Sequence, residues 1–253
     1  MTYATASINP HYAARLRRAF PVRPAETHRA VYAHLPRAPI TGSPVPHLTS
    51  LYHNSDGRRG QYGSQSYPGN CSGNLIRDLL KFFRPGIVFD PMTGSGTASD
   101  VCRELGIPCR AGDIHQGFDA CDPQGFPPAE SFDFIWAHPP YWRMKLYADD
   151  PRDLSRSPTL DHFLQRYGQF IGNCAASLKR GGKLAILIGD YNDRDAGQVP
   201  LVYHTKRLAF AAGLAQHCTD IIRFSHGNSS SRKVYRSSFI PGLHDVCMIF
   251  EKC

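Results

Sequence analysis

The chain has 253 residues, enough for one domain with a long arm, and its 42% hydrophobic and 20% charged content excludes a wholly disordered chain. A mean hydropathy of −0.36, with no apolar run of about 18 residues, excludes an ordinary membrane span. Lysine and arginine outnumber aspartate and glutamate by 29 to 21, a formal net charge of +8, and 22 of the 29 cations are arginine. Such an excess points to a polyanion such as DNA or RNA, because the guanidinium fork pairs bidentately with phosphate.

In chain order, the first stretch stands apart. Six prolines lie between Pro21 and Pro46, and 52–74 is rich in Gly, Ser, Asn and Tyr. Proline at this density blocks long helices and strands, so residues 1–64 read as a Pro-rich N-terminal arm, with one short helix around His11 to Phe20; a disordered tail fits residues 1–40 equally well. From Asn74 the texture changes to alternating helix and strand, read here as a catalytic domain over 65–253. Leu75, Leu79, Leu80 and Phe83 fall at helical spacing and stop at Arg84-Pro85-Gly86. Ile87 to Asp90 reads as a buried strand, Thr97 to Leu105 as a helix closed by Gly106, Ile107 to Asp113 as a strand and Phe132 to Ala137 as another. Arg143 to Ser157 reads as a mobile loop. A long apolar stripe from Leu160 to Leu178 predicts a helix ended by Gly181-Gly182, before a buried strand over 183–189. Pro200 to Leu214 suits a helix, and Asp220–Phe224 and Asp245–Phe250 two closing strands. The alternation predicts an α/β fold with a doubly wound, mostly parallel sheet.

The eight cysteines are scattered and form no C-x-x-C pair. They are read as reduced and largely buried, and no metal site is expected. The first twenty residues hold no apolar stretch of the secretory kind, so a cytoplasmic protein is expected, nucleoid-associated if its polyanion is DNA; a dimer stays open.

Two segments carry chemistry. Phe89-Asp90-Pro91-Met92-Thr93-Gly94-Ser95-Gly96-Thr97 runs from a strand through a glycine turn into a helix. In an open α/β sheet, ligands sit at the carboxyl ends of strands. A phosphate-cradling loop requires a Lys that is absent, and a dinucleotide fingerprint requires a glycine where Ser99 stands. What remains is a ligand carrying an amine rather than phosphates, or a purely structural turn. The second segment, Ala137-His138-Pro139-Pro140-Tyr141-Trp142, follows a strand directly. Two prolines fix a stiff turn there, from which a polar side chain, rigid carbonyls and an aromatic ring project together.

Jointly these segments resemble the S-adenosylmethionine-dependent DNA methyltransferases that modify exocyclic amines, cytosine N4 or adenine N6. Asp90 to Thr97 looks like the family's D-P-F-x-G-S-G-T, with Met92 for Phe; His138-Pro139-Pro140-Tyr141, 48 residues after Asp90, looks like its [DNS]-P-P-[YF]. Ser66 to Asn70 resembles the segment closing over the methionine end of the cofactor, and His244-Asp245 the family's closing strand. The resemblance covers about 65–252 and implies a Rossmann-like methyltransferase fold of seven strands. It implies that Asp90, Pro91, Met92, Thr93, Gly94, Ser95, Gly96, Thr97, Asp113, Asp119, Tyr67, Pro68 and Asn70 bind S-adenosyl-L-methionine, and that His138, Pro139, Pro140 and Tyr141 are catalytic. His138 departs from the Asp, Asn or Ser usual there; a neutral imidazole can still accept one hydrogen bond. The Pro-Pro-Tyr-Trp run looks more like the cytosine-N4 subset, with adenine N6 second. An RNA or protein-amide methyltransferase and a catalytically dead DNA-binding relative stay open. For double-stranded DNA, contacts are expected from Trp142 and Arg143 at the pocket rim, from Arg232, Lys233, Tyr235 and Arg236 in a Ser-rich loop, and from Arg58 and Arg59 in the arm.

Overall fold

The computed structural model of the protein describes residues 42–53, 61–224, 240 and 242–253. In chain order these form β1 (Leu51–His53), α1 (Asn74–Phe83), β2 (Val88–Asp90), α2 (Thr97–Leu105), β3 (Cys109–Ala111), β4 (Phe132–Ala137), α3 (Leu160–Ser177) and β5 (Leu178–Ile188). Then follow β6 (Tyr191–Asp193), β7 (Gly197–Val199), α4 (Leu201–Ala211), β8 (Leu214–Gln216), β9 (Ile221–Phe224) and β10 (His244–Lys252). Eight strands make one sheet in the order β1-β9-β10-β5-β4-β2-β3, with β8 paired to β10 beside that path; β6 and β7 form a separate hairpin. The pairs β2–β3, β2–β4, β4–β5 and β1–β9 are parallel, while β10 is antiparallel to β5, β8 and β9. The short β1, from the segment read as an arm, is the strand beyond the expected seven.

Strand alternation explains why both faces are covered. On β4, Ile135 and Ala137 join one core with Phe163, Tyr167, Phe170 and Ile171 of α3 and Leu201 of α4. Phe134 and Trp136 point the other way, into a second core with Leu75, Ile76 and Leu79 of α1 and Val101 of α2. A strand buried on both sides must be apolar at every position, which is why 132–137 reads as a continuous run broken only by Asp133.

Helix ends follow local chemistry. Gly96 opens α2 and Gly106 closes it, both left-handed, and the Gly106 N–H reaches the carbonyls of Cys102 and Arg103. The Thr159 side chain caps α3 by accepting from the His162 N–H. The α3 helix stops at Ser177, before the diglycine expected to end it. Leu178 already pairs with Phe132, and β5 spends Leu178 to Lys183 where β4 spends Phe132 to Phe134. Gly181 and Gly182 are therefore an irregularity inside the strand. Gly181 is left-handed at φ 74°, and a Cβ at Gly182 would lie 2.8 Å from the Lys179 carbonyl. Among the described residues, no helix is long and apolar enough to cross a membrane.

One polar contact crosses the apolar interior. Arg223 of β9 and Asp245 of β10 are direct cross-strand partners. They form a two-pronged ion pair, Nε–Oδ1 2.9 Å and Nη2–Oδ2 2.6 Å, with both side chains 5% exposed or less. The remaining Nη1 donates to the carbonyl of Cys71 at 2.8 Å, on the chain leading into α1. Removing one partner strands a buried charge, so Arg223→Ala should cost about 3–5 kcal/mol in urea denaturation. Arg223→Lys, which keeps the charge but loses the fork, should fall between wild type and Arg223→Ala. Wild-type stability in Arg223→Ala would contradict this reading.

Candidate active site

The sheet order locates the site. From β2 the chain crosses to β3 on one side, while β4 lies on the other side of β2. Such a reversal opens a crevice beyond the carboxyl ends of the strands. Here a cleft of about 810 Å³, counting open solvent at its mouth, lies between the end of β2 at Asp90 and the end of β4 at His138.

The β2–α2 turn forms one wall. The Gly112 N–H donates to the Asp90 carbonyl (2.9 Å) and the Thr93 N–H to the Gly112 carbonyl (3.1 Å), lacing the ends of β2 and β3 together. Gly94 is left-handed at φ 51°, and the Tyr67 ring lies so close that a Cβ there would meet it at 2.6 Å. The Asp90 side chain is buried, and its carboxyl accepts from the Met92 N–H at 3.2 Å. Burial pushes that carboxyl up to about 8. The hydroxyl of Ser95 is buried without a hydrogen-bond partner among the described residues.

The 61–73 segment roofs the cleft. Asn70 spends its amide on the roof itself: it donates to the Tyr62 and Ser64 carbonyls (3.1 and 2.9 Å) and accepts from the Ser72 N–H and the Thr97 hydroxyl (3.0 and 3.1 Å). The Gly63 N–H donates to Asp100 at 2.8 Å, and the Tyr62 hydroxyl to Glu104, fastening the roof to α2. Tyr67 tilts against Tyr147, centroids 6.1 Å apart, and burial with the nearby Asp113 charge pushes its phenol up to about 12.

The two further carboxylates already hold backbone. Asp113 accepts from the Gly94 N–H (2.8 Å) and the His115 N–H (3.0 Å). Asp119 accepts from the Cys121 N–H (2.9 Å) and takes Arg166 Nη2 on both oxygens (3.0 and 2.9 Å). Both oxygens of Asp113, and Oδ2 of Asp119, keep a further lone pair for a ligand, while Asp119 Oδ1 already accepts two bonds.

At the end of β4, His138 and Pro140 line the cleft and Pro139 is buried beneath them. Tyr141 lies beside the cleft, half-buried; a Cβ on Gly189 would touch its ring at 3.2 Å. Its ring meets His138 edge-on, with centroids 5.9 Å apart at 68°. Burial, with the charge of Asp245, pushes the Tyr141 phenol well up, so its hydroxyl stays neutral.

Of the residues expected to bind cofactor, all but Gly96 line this cleft; Gly96 serves instead to open α2. Trp142 departs from expectation. It is 3% exposed and its Nε1 donates to the Ser157 carbonyl at 2.9 Å, so it is a core residue and not a rim residue. Arg143 is engaged internally: it holds Asp193 with two bonds (3.0 and 2.7 Å) and Asp195 with one (2.8 Å), and covers the Trp142 ring at 4.4 Å. The stretch 143–157, read as a mobile loop, is packed around buried Asp153, which accepts from the N–H groups of Ala148 (2.8 Å), Tyr147 (3.3 Å) and Ser155 (2.9 Å). Tyr147, Arg152, Asp153 and Leu154, within the stretch expected as a loop able to close on the base, line the cleft, although none was expected as a cofactor-binding residue. Arg58, Arg59, Arg232, Lys233, Tyr235 and Arg236 lie outside the described residues. Among the described residues, no three metal-ligating side chains cluster.

No protein-family model matches the chain, and no curated protein does. Solved structures are similar in part. TTHA0409 of Thermus thermophilus, provisionally named a DNA modification methylase and solved with S-adenosyl-L-methionine, is 20% identical over 53% of this chain and 53% of its own, with a TM-score of 0.39. TrmN of Thermus thermophilus is 22% identical over 71% of this chain and 48% of its own, TM-score 0.41. A SAM dependent methyltransferase of Archaeoglobus fulgidus is 14% identical over 71% and 94%, TM-score 0.45. The chain spans about half the length of TTHA0409. At this degree of likeness the functional reading rests on the cleft's own residues.

The raised Asp90 carboxyl has a measurable consequence. Folding makes it hold a proton that the unfolded chain gives up, so its cost is absent below about pH 4 and grows as pH rises toward about 8. The uncharged isostere Asp90→Asn should therefore melt increasingly above wild type between pH 5 and 8. Thermal melts read by circular dichroism check this, and a difference independent of pH would contradict it.

Proposed function

We propose that the protein is an S-adenosyl-L-methionine-dependent methyltransferase acting on the exocyclic amine of a base in double-stranded DNA, cytosine N4 ahead of adenine N6. The observation that carries the reading is that Asp90–Thr97 and His138–Tyr141, separated in sequence, meet at the crevice the strand order creates. The residues present fit the cofactor. Asp90 is a buried carboxyl that gains its charge most readily beside a cation, the Ser95 hydroxyl lacks a partner among the described residues, and Gly94 keeps the turn low beneath Tyr67. Asp90, Met92, Thr93 and Gly94 would hold its amino-acid end beneath Tyr67 and Pro68, and Asp113 and Asp119 its nucleoside end. The cofactor supplies, when bound, a methyl group made electrophilic by a positively charged sulfur.

The chain's own part is positioning and electrostatics. Extraction of the base from the duplex is required before any group can reach its amine. Tyr141, neutral and backed by Gly189, offers a stacking face. The Pro139 carbonyl and the unprotonated nitrogen of His138 would accept the two amine hydrogens, drawing the nitrogen lone pair out of conjugation with the ring. Phosphate contacts are assigned to Arg232, Lys233, Tyr235 and Arg236, with Arg58 and Arg59; 225–239 carries three cations and no acid.

Expression in a methylation-free host, followed by base-resolved detection, should reveal N4-methylcytosine at one recurrent sequence. N6-methyladenine would move the target base, methylated RNA alone would move the substrate, and no mark with no cofactor binding in calorimetry would sink the reading. Because the role needs an acceptor at this position, single-turnover transfer should fall strongly in His138→Leu and be retained in part in His138→Asn, whose side-chain oxygen accepts; equal rates in the two variants would remove His138 from this role.

A further inference from the structure

We infer that Met144 and Leu146 form a wedge that enters the base stack of duplex DNA and fills the space a displaced base leaves. This rests on the proposed function and adds the device by which the base is removed.

The basis is a contrast within seven residues. Tyr141 and Tyr147 bound the segment, and both ends are fastened. Tyr141 packs on Gly189, and the Tyr147 N–H donates to Asp153 and Ser155 (3.3 and 3.2 Å) while its ring lines the cleft. Between them, Trp142 is sunk in the core and Arg143 is clamped by Asp193 and Asp195 of the β6–β7 hairpin. The Met144 N–H returns to the Tyr141 carbonyl at 3.2 Å, closing a tight turn. Trp142 sits at φ 47°, a left-handed conformation that costs a non-glycine residue free energy and persists only where the surroundings impose it.

On this fastened base the next side chains face solvent. Met144 is 54% and Leu146 53% exposed, on either side of exposed Lys145. Only six large apolar side chains are markedly exposed among the described residues, and these two stand together beside the pocket motif. Exposed apolar side chains on a rigid turn gain nothing from water. Their chemistry suits insertion between stacked bases, where methionine and leucine serve as wedges. The occupant is set by what adjoins them: Lys145 provides a cation for the phosphates on either side, and Tyr141, the proposed stacking face for the extruded base, is three residues from Met144. Extruding a base costs a few kcal/mol of lost stacking and pairing, which a filled gap offsets.

The test is the variant Met144→Ala/Leu146→Ala, both positions being exposed and outside the cleft lining. Its affinity is compared for two DNA duplexes, one intact and one carrying an abasic site, which presents a hole already made. The variant should bind the abasic duplex roughly tenfold more weakly than wild type does, since the hole is present for both and only wild type fills it. Methyl transfer by the variant should fall roughly tenfold on intact duplex and stay within about twofold on a duplex mismatched at the methylated base, where unstacking is already cheap. Equal affinity of wild type and variant for the abasic duplex overturns the wedge, as does an equal fall in transfer on both substrates. Absence of transfer by wild type on every substrate overturns the proposed function instead, and the affinity comparison still decides the wedge.

Discussion

A guanidinium sealed in an apolar interior has to be matched at the N–H groups it offers, and Arg223 meets that demand by reaching in two directions. Its fork takes both oxygens of Asp245, and its third nitrogen takes the carbonyl of Cys71. The first contact staples the last two strands; the second fixes where the cleft roof begins its descent into α1. Gly189, packed against both Tyr141 and Asp245, puts this pair directly behind the proposed stacking ring. One buried pair therefore sets the spacing between roof, floor and target ring. A pair of this kind contributes less to stability than hydrophobic side chains of the same volume would; what it adds is a fixed geometry.

The cleft shows the complementary economy. Asp113 and Asp119 are neutralised by backbone N–H groups and, for Asp119, by Arg166, so they are held in place before any ligand arrives. Asp90 accepts one backbone N–H, and burial drives it toward the protonated form. The proposed cationic cofactor would supply what Asp90 lacks. Binding energy is then concentrated at the one carboxyl whose environment is incomplete without that ligand.

How far the sequence reveals this depends on the range of the forces. Helix α2 is legible to the residue because Gly96 and Gly106 punctuate it locally. The strands β2 and β4 are legible because burial on both faces leaves no polar positions within them except Asp133 and the terminal Asp90. Strands β1, β6, β7 and β8 have three residues each and no flanking apolar run like the one at 87–89 that marks β2, and exist because a partner strand is there. The double glycine after α3 looks like a helix stop and is a strand irregularity, since Leu178 is captured by Phe132, 46 residues earlier. Trp142 looks like a rim aromatic beside Pro-Pro-Tyr, but its fate is set by the Ser157 carbonyl. Arg166 and Arg223 look like solvated cations, and their carboxylate partners lie 47 and 22 residues away. Motif chemistry is legible in the sequence; the partners that hold the motifs are not, because they are tertiary.

The charge excess changes meaning once it is divided. Residues 1–41 hold six arginines and one glutamate, 54–60 two arginines and one aspartate, and 225–239 three cations and no acid. Those segments carry 11 basic and 2 acidic residues of the chain's 29 and 21, a net +9, so the described remainder has 18 against 19, a net of −1. Within that remainder Arg143, Arg166 and Arg223 are consumed by internal pairs. The folded sheet and its cleft are thus close to neutral, with three acids gathered where a cation is proposed to bind. The whole excess of positive charge belongs to three segments outside the described residues. A polyanion drawn to the protein would be drawn by those segments, and the near-neutral described residues would be free to make the proposed contacts of Tyr141, Met144 and Leu146 without repelling neighbouring phosphates or trapping them in the cleft.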